Sequence, residues 1–427
     1  PDRDYYLNDD ARSKTIRDAY YTHLQNMFKL INIDEVNAKK YADVVMKMET
    51  SLAKSSRSRL DLRDPNLNYN KMTIEELQKI TPELNWNLYL EGMGLKNIYG
   101  INVGQPQFFT DASKMLKNVS IDDWKIYLKW NILHNSAPYM NNAFVNENFS
   151  FYGKVLTGAE QLRDRWKRVL DNTSGSLGEA VGKIYVEKYF PPKAKERMLK
   201  LVENLDIALG EHIKNLSWMS PTTKEKALEK LKTMNVKIGY PDKWTDYSKL
   251  KISRDSYLVN VINANQFEVA KNIEKIGKPV DREEWHMSPQ TVNAYYSPNM
   301  NEIVFPAAIL QPPFFNLDAD DAVNYGAIGV VIGHEMTHGF DDQGRQFDSK
   351  GNLSDWWTPE DAQKFTEKTR VLVDQFNGYK SINGMTVNGE LTLGENIADF
   401  GGLTVALTAL RKATNNNLKT PALDGFT

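Results

Sequence analysis

Three observations predict a mainly α fold, α+β overall, with a large helical domain over residues 1–240 and a second domain carrying a small sheet over residues 241–427. Apolar residues recur at three- and four-residue spacing, with charges between them, through much of the first 240 positions. After Tyr240-Pro241 the composition shifts, and short aromatic and β-branched runs appear. The chain has 427 residues, too many for one simple core, so two or more domains are expected.

The elements follow in order. Residues 9–31 and 36–57 carry the helical period. Thr73 with Glu76 forms a capping-box start, and Ser120 opens a helix to about His134. Residues 193–215 read as a long amphipathic helix, and Pro221-Thr222-Thr223 starts another that carries Ala227, Leu228, Leu231 and Met234. Strand signals cover 292–296 and 302–305. Pro312-Pro313 breaks the chain before 318–339, whose later part is helical and ends at Gly339. Helices are expected from Pro359 to about Phe376 and over 397–412.

Bulk properties remove some classes of function. Hydrophobic content of 41% and 25% charged residues fit a globular chain. A net charge of −2, without a basic stripe, gives no reason to expect a nucleic-acid partner. No run of 18 apolar residues exists, so no membrane segment is expected in this chain. Cysteine is absent, which removes any disulfide framework.

The chemistry is concentrated at His334-Glu335-Met336-Thr337-His338, an H-E-x-x-H motif. Residues four apart share a helical face, so both imidazoles can address one ion. Zinc suits two neutral imidazoles and one carboxylate, with a further position for water. Glu335, one residue round from the first ligand, is placed to take a proton from that water. Chance alone produces this motif in a chain of such length about 1% of the time. Histidine is scarce, six in all, and that makes the ligand spacing harder to dismiss.

A third ligand must come from elsewhere. Asp341 and Gly344 stand where a metzincin would have its glycine and third histidine, so that class is excluded. The candidate is Glu395 in Gly394-Glu395-Asn396-Ile397-Ala398-Asp399. Glu395 and Asp399 are four apart on one helical face. Glu395 would ligate the metal, and Asp399 would accept a hydrogen bond from a ligand histidine and support the catalytic group. Helix-start acids favoured by the dipole offer a plainer account of both.

These residues and several other stretches resemble the neprilysin family of zinc endopeptidases, which includes the endothelin-converting enzymes and bacterial relatives. The stretches are Val292-Asn293-Ala294-Tyr295-Tyr296, residues 304–315, 331–342 and 392–402, with Ile238-Gly239-Tyr240-Pro241 and Arg3-Asp4-Tyr5-Tyr6 upstream. The resemblance implies a thermolysin-like zincin catalytic domain over 241–427, one zinc per chain and peptide substrates. It places the zinc ligands at His334, His338 and Glu395, the base at Glu335, and supporting acids at Asp399 and Asp341. Asn293 and Ala294 would hold the substrate backbone on an edge strand. Ile309, Phe314, Val330 and Val331 would line a pocket for a bulky apolar residue after the cut bond, although each also suits plain core packing.

The resemblance also implies that residues 1–240 cover the active site and filter substrates by size. Family members carry further N- and C-terminal segments, the latter with a histidine that pairs with the acid at Asp341 and an arginine that grips substrate. The expectation is of a chain lacking both segments, with a further aromatic helix beyond Leu423-Asp424-Gly425-Phe426-Thr427, and the missing segments as partners. The lack of cysteine points to a bacterial member, with the cytoplasm favoured over secretion or the cell surface. A binding protein on a peptidase scaffold and an exopeptidase remain the rival readings.

Overall fold

The computed structural model describes residues 2–381 and 384–415, so the reading of residues 423–427 lies outside the described residues. Two compact units are formed, one by residues 1–176 and 248–278, the other by 177–247 and 279–427.

The first unit is helical. Its core gathers around α1 (Ala11–Leu30), α2 (Glu35–Ser55) and α3 (Ile121–Ser136), where Leu24, Met27, Phe28, Val45 and Trp130 are buried. Asp10, Asp34 and Ser120 cap these helices by accepting a backbone N–H three residues on. Thr73 and Glu76 form the expected capping box. A helix over Tyr257–Ile273, which the periodicity did not single out, belongs to this unit.

In the second unit α4 (Pro192–Asn215) and α5 (Pro221–Lys232) lead into a three-stranded sheet. Strands β1 (Asn235–Gly239), β2 (Tyr295–Ser297) and β3 (Glu302–Pro306) lie in the order β1-β3-β2. β1 runs parallel to β3, and β2 antiparallel, leaving β2 at an edge. β3 is buried throughout, as a central strand must be. Its one charge, Glu302, is paired with Lys237 on β1 at 2.8 Å.

Three further helices of the unit bear on the site: α6 (Val330–His338), α7 (Pro359–Asn377) and α8 (Leu393–Ala413). α6 needs no cap, because it continues a π-helical turn over Tyr325–Gly329. There the N–H of Ile328 donates to the carbonyl of Phe314 at 2.9 Å, which widens the turn.

Two expectations differ in detail. A single cut near residue 240 does not describe these units, because α4 packs on α8 and β1 on β3, which ties 177–247 to the later residues. The strand expected over 292–296 runs over Tyr295–Ser297, because its ladder begins where Tyr295 meets Val304. The side chain of Asn293 accepts the N–H of Ala294 at 2.9 Å, a local closure that competes with extending the strand.

Candidate metal centre

α6 and α8 cross at Gly333 and Gly402, where no side chain separates their backbones. A Cβ on Gly333 would stand 2.9 Å from the Cα of Gly402, and one on Gly402 would stand 2.7 Å from the N of His334. Both lie below real Cβ contacts, so only glycine permits this approach. The consequence is chemical: backbones this close let short carboxylates on α8 reach the imidazoles of α6.

Three electron-pair donors converge there. The Nε2 atoms of His334 and His338 are 3.0 Å apart, and Glu395 Oε2 is 3.4 and 3.6 Å from them. Each ring's other nitrogen meets a carboxylate: His334 Nδ1 is 2.8 Å from Asp399 Oδ1, and His338 Nδ1 is 2.7 Å from Asp341 Oδ2. A carboxylate only accepts, so the ring proton sits on Nδ1 in both and leaves Nε2 with its lone pair. Two lone pairs and a carboxylate so close repel one another unless a cation joins them. Ligands about 2.05 Å from a tetrahedral zinc stand about 3.3 Å apart, within the observed spread. The donor set therefore fits zinc.

Glu335 is buried, and one of its carboxylate oxygens lies within 4.8 Å of a ring nitrogen of each histidine. Burial raises its pKa, while His338 and His334 pull against the shift. Burial alone would lower His338, but the hydrogen bond and charge of Asp341 raise it. Glu395 and Asp399 have side chains 69% and 77% exposed, so the cluster faces solvent on the α8 side.

The other sequence candidates are placed as follows. Asn293 is exposed and Ala294 buried, just before the edge strand β2. Ile309 sits in the hydrophobic core, whereas Phe314, Val330 and Val331 are partly buried against it. Asp341, expected to pair with a C-terminal histidine, is engaged with His338 and with the N–H groups of Gln343 and Gly344. The i+3 spacing from His338 to Asp341 was the available signal.

Fold and site together define an H-E-x-x-H metallopeptidase scaffold with a glutamate supplied by a second helix. Residues 1–241 match the N-terminal model of peptidase family M13, and residues 293–427 match a second model of the same family. The endothelin-converting enzyme homolog of Locusta migratoria is 34% identical over 445 residues, covering 100% of this chain and 61% of that protein. Neprilysin-3 of Drosophila melanogaster is 33% identical, covering 99% and 56%. Among solved structures, the inhibitor complex of the Mycobacterium tuberculosis zinc metalloprotease Zmp1 superposes with a TM-score of 0.95 at 43% identity, covering 100% of this chain and 65% of that one. PepO from Lactobacillus rhamnosis gives 0.89 at 29%, covering 96% and 65%.

The chain belongs to peptidase family M13, whose members are zinc metalloendopeptidases. It spans about six-tenths of the length of these curated relatives.

Proposed function

We propose that this chain carries the catalytic centre of a zinc-dependent endopeptidase that cleaves peptides or small polypeptides on the amino side of bulky hydrophobic residues. The convergence of His334 Nε2, His338 Nε2 and Glu395 Oε2 beside a buried Glu335 carries the reading. His334, His338 and Glu395 would hold one zinc per chain, which would supply Lewis acidity toward a water and a peptide carbonyl.

Glu335 takes a proton from the attacking water, whose oxygen bonds to the carbonyl carbon. As the C–N bond breaks, Glu335 returns the proton to the leaving amine. Asp399 and Asp341 accept the Nδ1–H of the two histidines and keep both Nε2 lone pairs directed at the ion. An extended peptide can lie along the free edge of β2, with Asn293 and Ala294 contacting its backbone. Phe314, Val330 and Val331 keep partly open apolar surface against the core that includes Ile309, and together they would favour a bulky side chain after the cut bond. Zero cysteines and the likeness to mycobacterial and lactobacillar proteins support a bacterial member.

Glu335→Gln tests the reading, assayed on ten-residue peptides by mass spectrometry with zinc measured on the same samples. Turnover is expected to fall about 10²- to 10⁴-fold while zinc stays bound. A zinc-loaded variant that cleaves at the parent rate removes Glu335 as the base. Products trimmed only at one end would point to an exopeptidase.

A further inference from the structure

Lys230 is a buried cation that the proposed chemistry does not use. It lies near the end of α5, fully shielded from solvent. Its Nζ donates to the carbonyls of Gly344 and Phe347 at 2.6 and 2.7 Å. The rings of Phe340, Tyr296 and Trp356 surround it with centroids 5.7, 5.8 and 6.0 Å from Nζ, within reach of cation–π attraction. Removing an ammonium from water is costly, so this enclosure needs compensation.

A short chain of hydrogen bonds leads from Lys230 to the histidine pair. Gly344, whose carbonyl takes Lys230, donates its own N–H, on the other side of its Cα, to Asp341 Oδ1 at 2.6 Å. Gln343 N–H adds a second donor to the same oxygen at 2.9 Å. The other oxygen of Asp341 holds His338 Nδ1. A Cβ on Gly344 would collide with the His338 carbonyl, so this peptide is pressed against the end of α6. The Tyr296 ring beside Lys230 belongs to β2. Burial pushes Lys230 down to about 7 against the attraction of Asp341 and Asp348. Charged or neutral, the amine keeps an N–H for each carbonyl.

We propose that Lys230 is a positioning residue of the metal centre: by holding the Gly344 peptide it fixes Asp341 beneath His338 and so aims His338 Nε2. The proposal rests on the reading of His334, His338 and Glu395 as a zinc site.

The test is a double-mutant cycle on zinc affinity, by chelator competition, with Lys230→Met and Asp341→Asn in the 427-residue chain, alongside amide hydrogen exchange. Lys230→Met is expected to weaken zinc about ten-fold in the parent and less than about two-fold in the Asp341→Asn background. Exchange at Gln343 and Gly344 is expected to quicken roughly ten-fold. Faster exchange with unchanged zinc affinity, or an undiminished effect without Asp341, overturns the proposal and leaves Lys230 a staple of the turn. Should the methionine variant not fold, Lys230→Gln keeps one amide donor and is read by the same two criteria. A parent chain that binds no zinc sinks the metal reading instead, and the exchange arm then decides whether Lys230 holds Asp341.

Discussion

His338 Nδ1 lies 2.7 Å from Asp341 Oδ2, three residues along the chain, whereas its neighbour His334 is held by Asp399, sixty-five residues away. One histidine is oriented by the turn that leaves its own helix, the other by a second helix. The two supports therefore answer differently to substitution.

Asp341→Ala and Asp399→Ala are each expected to weaken zinc about 10- to 100-fold, measured by chelator competition. Only Asp341 is buried and also takes the N–H groups of Gln343 and Gly344. In the metal-free chain its loss is expected to lower the melting temperature as well, while Asp399→Ala, at an exposed position, leaves it unchanged. Equal melting temperatures for the two variants would contradict this division.

Gly402→Ala is expected to separate α6 from α8. The added methyl would stand 2.6 Å from the Val330 carbonyl and 2.7 Å from the His334 amide, both backbone atoms that cannot turn aside. Overpacking of this kind costs about 1–3 kcal/mol. Thermal unfolding and zinc content are expected to fall together; an unchanged zinc content would mean that the crossing does not set the ligand spacing.

Asp361 supplies a pH dependence. Burial alone would raise its pKa, but hydrogen bonds from Ser220, Thr223 and Thr358 hold it down to about 2. Its folded pKa lies below the unfolded value of 3.8, so its stabilisation is complete above that pH and is lost as pH falls through 2. The shift corresponds to about 2 kcal/mol. Urea unfolding of Asp361→Ala against the parent is expected to show a constant gap between pH 5 and 8 that narrows below pH 4. A gap that changes across the neutral range would contradict the assignment.

Much of this was legible in the sequence. α1, α4 and α7 follow from their apolar period, because that signal is local. The H-E-x-x-H spacing announced its own geometry, and the four-residue step from Glu395 to Asp399 put both acids on one face. β1 carries a period-two run, Val236-Lys237-Ile238, but five residues with a lysine at the centre read as strand only once β3 lies beside them. Lys230 sits among Leu228, Leu231 and three further lysines on α5, and looks like a surface charge until the turn at Gly344 folds over it. The extent of each unit was hidden for the same reason: α4 belongs with α8 through a contact about two hundred residues long in sequence.

The glycine crossing also distributes leverage. Gly333 adjoins His334, so that histidine rides almost on the pivot, whereas Glu395 stands seven residues, about 10 Å, along α8 from Gly402. A tilt of roughly 6° about that pivot leaves His334 in place and swings the glutamate by about 1 Å. On the far side of the pivot, α8 is gripped by α4, where His212 Nε2 meets the Thr408 hydroxyl at 2.9 Å. The two arms form a balance: a displacement at Thr408 on one arm carries to Glu395 on the other, while His334 stays beside the pivot.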